Sequence, residues 1–221
     1  MWSSSIGDLL GGNPSGVAPA SGFQNPNDLR GERGLLDTHL AHRVVTSGIW
    51  ELPFGKGAAF ANDMNPVLNK IVRGWSATGI MTLTTGRPYT LSVQGNPANS
   101  SSVNRPDVVG DPYALPGGPS VAQFFNRAAF RANQPFTYGN LGRNALIGPA
   151  FQNADFSLMK RETIFSASDR PIDVQFRWEL FNVLNHANFG FPGTTLGTPT
   201  YGQLTNSSPA RKMQFGLKLI F

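Results

Sequence analysis

The clearest order in the chain is a period of two. Over Lys212–Phe221, the residues Met213, Phe215, Leu217, Leu219 and Phe221 share one face, opposite Lys212, Gln214, Gly216, Lys218 and Ile220. Residues 171–181 repeat the pattern, with Ile172, Val174, Phe176, Trp178 and Leu180 opposite Asp173, Gln175, Arg177 and Glu179. A shorter copy at 153–159 sets Phe156 and Leu158 against Asp155 and Ser157. Around 75–85, Trp75, Ala77, Gly79, Met81 and Leu83 lie opposite Ser76, Thr78, Thr82 and Thr84, with Ile80 out of step. A noisier segment, about 38–52, holds Val44, Trp50 and Leu52 opposite Arg43, Ser47 and Glu51. Successive side chains on a strand point to opposite faces, so each segment reads as a strand with one apolar and one polar side. The pattern predicts an all-β chain of about five antiparallel strands, at about 38–53, 71–92, 153–164, 171–184 and 212–221.

The connections alternate in length. Residues 54–70 make a modest turn region and 165–170 a tight turn, whereas 93–152 and 185–211 are long and rich in Pro, Asn and Gly. One short helix is expected, near Val121–Arg127. A soluble sandwich gives no reason for such alternation, but membrane barrels keep turns short on the periplasmic side and loops long on the external side. With Phe221 ending inward, every length falls on the required side, and 9–37, 93–152 and 185–211 become external loops. Aromatic residues stand near predicted strand ends, as in a membrane girdle: Trp50, Phe54, Trp75, Phe165 and Phe221 at one level, Tyr89, Phe189 and Phe191 at the other. The alternative is a soluble or surface-attached β-sandwich binding module whose long loops recognise a saccharide or a protein. The two differ in where Phe176, Trp178, Phe215 and Leu217 go: outward from a single sheet, or between two sheets.

Composition narrows the classes further. Only 14% of residues are charged, against roughly 25% in ordinary soluble domains, and the net charge is +5. Gly 25, Pro 17 and Phe 16 mark a turn-rich, aromatic chain, not a helical bundle or coiled coil, and 40% hydrophobic content argues against disorder. The absence of cysteine removes disulfide scaffolds, thiolate metal sites and Cys nucleophiles together. No apolar run approaches the roughly 18 residues of a spanning helix, and Met1–Asp8 carries no basic start of a signal peptide. No Gly-x-Ser-x-Gly, phosphate loop or dinucleotide fingerprint occurs. His39 and His42 are three apart on a predicted strand and point to opposite faces, so no shared metal is expected. Glu51, Asp155, Asp173 and Glu179 read as lumen charges that solvate a barrel interior. Basic residues are scattered, with Lys160-Arg161 and Arg211-Lys212 adjacent near predicted strand ends, so no nucleic-acid stripe forms. Neither an enzyme nor a cofactor is expected.

Two sets of residues resemble known families. The run Gln214-Phe215-Gly216-Leu217-Lys218-Leu219-Ile220-Phe221 resembles the C-terminal assembly signal of bacterial outer-membrane barrels, with Gln214, Gly216, Leu219 and Phe221 matching its elements. The resemblance implies recognition of this strand by the barrel-assembly machinery through edge pairing. More broadly, Glu51-Leu52-Pro53-Phe54-Gly55-Lys56-Gly57, Gly74–Ile80, Thr85-Gly86-Arg87-Pro88-Tyr89, Gly139-Asn140-Leu141-Gly142-Arg143-Asn144 and Phe176–Asn185 are similar to the barrel of TonB-dependent-receptor-like proteins of the Oar type. That family implies a large receptor with an N-terminal carboxypeptidase-regulatory-like domain, a plug and a barrel of about twenty-two strands, transporting a ligand across the outer membrane. The signal peptide, regulatory domain, TonB-contacting segment and plug have no counterpart in this sequence. Trp2–Ile6 resembles the upper end of an earlier strand. The expectation is therefore a C-terminal fragment of five strands and a stub without autonomous activity. Its partners would be outer-membrane lipid, the assembly machinery, the missing N-terminal barrel and plug, TonB only through that missing part, and an unidentified ligand.

Overall fold

A computed structural model describes residues 6–7, 23–165 and 172–221. The expected turn 165–170, most of the stub Trp2–Ile6 and residues 9–22 lie outside the described residues, apart from Phe165 and Ile6. Five long strands form one sheet: β1 (Arg43–Glu51), β2 (Trp75–Thr84), β3 (Phe151–Phe165), β4 (Ile172–Phe181) and β5 (Lys212–Ile220). Their spatial order is β5-β4-β3-β2-β1, so every strand lies beside its neighbour in sequence. This is an antiparallel up-and-down arrangement, without the crossovers of a Greek-key sandwich. The sheet is open, with β1 and β5 at its edges.

Register fixes the faces. Trp178 pairs with Phe215, Phe176 with Leu217, Val174 with Leu219 and Leu180 with Met213. On the other side of β4, Leu180 pairs with Phe156 and Trp178 with Leu158. A one-residue slip would send every one of these side chains to the opposite face, so the apolar pattern itself holds the register. Phe176 meets Trp75 edge-on with ring centroids 5.9 Å apart, and Trp178 stacks on Phe215. On this side Phe215 and Leu217 stay 68% and 73% exposed. The sandwich reading requires these two residues to be interior, and they are not.

The opposite face is polar. Asp173, itself buried, accepts a hydrogen bond from Arg161 Nε at 2.9 Å and one from Thr163 Oγ1 at 2.6 Å. Glu179 accepts from Gln214, and Asn182 N–H donates to Asp155 at 2.9 Å. These carboxylates therefore sit in strand-to-strand pairs. β4 stops where Asn182 enters the left-handed region at φ 54°, a conformation Asn tolerates better than most residues.

Two elements differ from the sequence expectation. The segment read as one strand over 71–92 is divided. Its start belongs to a helix, α1 (Pro66–Val72), and its end leaves the sheet after Thr84. Pro88, which has no N–H to give a ladder, and Tyr89 then pair antiparallel with Ile147 and Leu146. The helix expected near Val121–Arg127 is instead a single 3-10 turn, Arg127–Ala129, started by Asn126, whose side chain accepts from Ala128 N–H at 3.1 Å.

The chain divides into two compact units. One contains the bulk of the five strands and α1. The other gathers the long connections: residues up to Arg43, Thr84–Phe151 and Asn188–Ser208. This second unit has its own core of Tyr89, Leu91, Phe125, Ala129, Phe130, Leu141, Leu146 and Tyr201. Phe125 stands at its centre, edge-on to Phe130 at 5.6 Å and to Tyr201 at 5.2 Å. Tyr89, read from sequence as a girdle residue, is 4% exposed in this core. Phe191 packs against it at 5.3 Å.

Candidate functional site

Within the unit of long connections, a cleft of about 290 Å³ is lined by Gln24, Asn25, Asp28, Gly31, Glu32, Arg105, Tyr138, Gly139, Asn140 and Leu141. Its floor is a buried ion pair. Arg105 donates to Glu32 and, through Nη1, to the Gly31 carbonyl at 2.9 Å. Gln24 completes the set. Its N–H donates to Glu32 at 2.9 Å, its Nε2 to the Gly139 carbonyl at 2.7 Å, and its Oε1 accepts from Arg105 N–H at 2.8 Å. All three side chains are buried, so the pair is desolvated yet hydrogen-bonded on nearly every side. Burial pulls the Arg105 guanidinium below its ordinary value, and Glu32 opposes that pull.

The motif Gly139–Asn144 holds this floor in place. A Cβ on Gly139 would overlap the Arg105 carbonyl oxygen, so only glycine lets the two backbones approach. Asn140 Oδ1 accepts from Val108 N–H at 2.7 Å, and Asn140 N–H donates to Asp107 at 3.1 Å. Leu141 enters the aromatic core. Arg143 N–H donates to the Gly31 carbonyl at 2.8 Å, and its Nη2 reaches Asp37 at 3.3 Å. Gly34 lies against the Arg143 carbonyl with no room for a side chain. Asn144, at φ 52°, donates to the Leu35 carbonyl at 2.7 Å and from its N–H to Thr90 Oγ1 at 2.8 Å. Residues 139, 140, 141, 143 and 144 thus tie segment 24–37 to segment 88–108. The cleft is a polar recess whose buried charges, Glu32 and Arg105, pair with each other, and its lining also includes Asn25, Asp28 and Tyr138.

The residues of the expected assembly signal all belong to edge strand β5 and its end. Gln214 bonds Glu179, Gly216 pairs with Arg177, Leu219 pairs with Val174 on the apolar face, and Phe221 is 94% exposed. His39 and His42 are in no strand, contrary to expectation. Lys160 and Arg161 pair with Phe176 and Gln175 in the β3–β4 ladder, five and four residues before β3 ends at Phe165. Gln24, Glu32 and Arg105 carried no sequence signal as a group. Glu32 and Arg105 are 73 residues apart, and no local periodicity reports a pair at that distance.

A single sequential antiparallel sheet, mainly apolar on one side and polar on the other, is the sheet of a transmembrane β-barrel. The chain belongs to the outer membrane beta barrel domain family, whose model matches residues 1–214. Its place is accordingly the outer membrane. No curated protein and no solved structure matches the chain.

Proposed function

We propose that this chain supplies the final strands of a TonB-dependent-receptor-like barrel of the Oar type, and that its long connections capture a ligand at the external face for passage across the outer membrane. Five strands fall short of the about eight that close the smallest barrels, so in this reading further strands and a plug complete the receptor. The assembly machinery would engage β5 through Gln214, Gly216, Leu219 and Phe221. The chain itself carries out no chemistry in this reading. TonB acts only through the completing part.

The observation that carries the reading is the folded state of the long connections. Loops that merely close a barrel need no core of their own. These bury Phe125 and Leu91 almost completely and build a polar cleft over a desolvated ion pair. Surface loops positioned on a rigid scaffold are where binding residues concentrate.

Because the chain has no cysteine, single replacements give unique labels. Asp28→Cys at the cleft is expected to react with a membrane-impermeant maleimide on intact cells. Asn62→Cys in the β1–β2 connection is expected to react only after the outer membrane is permeabilised. Labelling of Asn62→Cys but not Asp28→Cys on intact cells would overturn external capture.

A further inference from the structure

Helix α1 is built inside out. Its one buried residue is polar: Asn69 is 8% exposed and its Oδ1 accepts from Lys56 N–H at 2.6 Å. Its apolar side faces away from the protein, with Val67, Leu68 and Ile71 exposed at 69%, 47% and 59%. Positions 67, 68 and 71 share one face of a helix, so this is a continuous apolar stripe. The local fold is nonetheless well determined. Asn65 caps the start, accepting from Leu68 N–H at 2.8 Å, and Pro66 occupies the first turn.

The end of the helix is fastened to the apolar side of the sheet. Lys160 alternates with Phe156 and Leu158 on β3, facing the same way. Its ammonium donates to the carbonyls of Lys70, Ile71 (3.0 Å) and Arg73 (2.8 Å), groups a helix end leaves unpaired. Trp75 Nε1 donates to the Ile71 carbonyl at 2.8 Å, while its ring meets Phe176. The stripe therefore continues the membrane-facing surface of the sheet. Around it, Arg73 pairs with Glu162 at 3.0 Å, which leaves Lys56 and Lys70 against Asp63 in the β1–β2 connection, a balance suited to phosphate headgroups.

We propose that α1 is an interfacial anchor: Val67, Leu68 and Ile71 enter the acyl region of the phospholipid leaflet at the short-connection end of the sheet, with Lys70 at its phosphates. This rests on the membrane-barrel reading. The mode is that of amphipathic helices lying in the membrane plane.

The test is spin-label accessibility of the full chain in vesicles of phosphatidylethanolamine and phosphatidylglycerol. Single variants Leu68→Cys and Ile71→Cys are compared with Leu217→Cys on the sheet and Asn62→Cys in the same connection. Labels at 68 and 71 are expected to collide with oxygen and lose collision with a water-soluble nickel chelate, as at 217. Labels at 68 and 71 that meet the chelate as freely as at 62, while 217 stays protected, overturn the anchor alone. Chelate access at 217 as well overturns the barrel reading with it. Lys70→Glu is expected to shift the Leu68→Cys label toward the chelate in these vesicles, and no shift overturns the headgroup contact.

Discussion

Trp178 and Phe215, paired across β4 and β5, stack with ring centroids 6.1 Å apart and an interplanar angle of 8°. The stack lies on the bare side of the sheet, midway along β5. A charge introduced there has no water to reach. Phe215→Arg is expected to destabilise the vesicle-inserted chain by about 2–4 kcal/mol, the depth-dependent cost of a cation on the lipid face. Gly216→Ser, one residue on and facing the polar side, is expected to change little. Urea unfolding from vesicles measures both.

Glu32→Gln leaves Arg105 charged and buried without its partner. Breaking a buried pair this way costs roughly 3–5 kcal/mol, and the loss is expected at the cleft first. Hydrogen exchange should rise at residues 24–32 and 139–141. The double variant Glu32→Leu with Arg105→Met should recover much of it, since it removes both charges together.

Tyr89 and Tyr201 are buried with hydroxyls that find no hydrogen-bond partner. Burial pushes both phenols above their ordinary value. A folded state that holds its protons more tightly than the unfolded chain is favoured below the unfolded pKa, about 10 for tyrosine, and loses that stability as pH rises beyond it. The unit of long connections should therefore open in alkali, with tyrosinate absorbance rising cooperatively. Tyr89→Phe is expected to be neutral or stabilising by about 1 kcal/mol and to move the alkaline transition upward.

Lys160→Met separates two roles. A lysine merely stranded on the apolar face would be improved by methionine. A lysine that caps α1 is required, and charges at helix ends contribute up to about 2 kcal/mol in partly buried settings. The expected result is destabilisation, with faster exchange at Lys70–Arg73.

The five strands were legible because a membrane sheet must repeat every second residue: Phe215, Leu217 and Leu219 carry their own address. α1 was not, since Pro66-Val67-Leu68-Asn69-Lys70-Ile71-Val72 is too short for periodicity to register, and its apolar residues face away from the protein. The long connections hid most. Tyr89, Phe125 and Tyr201 make one core from three distant stretches, and Gln24 bonds Gly139 across 115 residues. Gly139–Asn144 stood out only by family likeness, and its reason is steric and hydrogen-bonding closure between segments that sequence alone leaves apart.

The close fits at Gly34 and Gly139 carry a consequence for how such a surface changes over generations. Exposed connections are ordinarily the most permissive part of a chain, yet here even a methyl group at either position would collide with a carbonyl oxygen. Diversification must then proceed around these two fixed points, through the rim side chains of Asn25, Asp28 and Tyr138, while the framework beneath them stays constant.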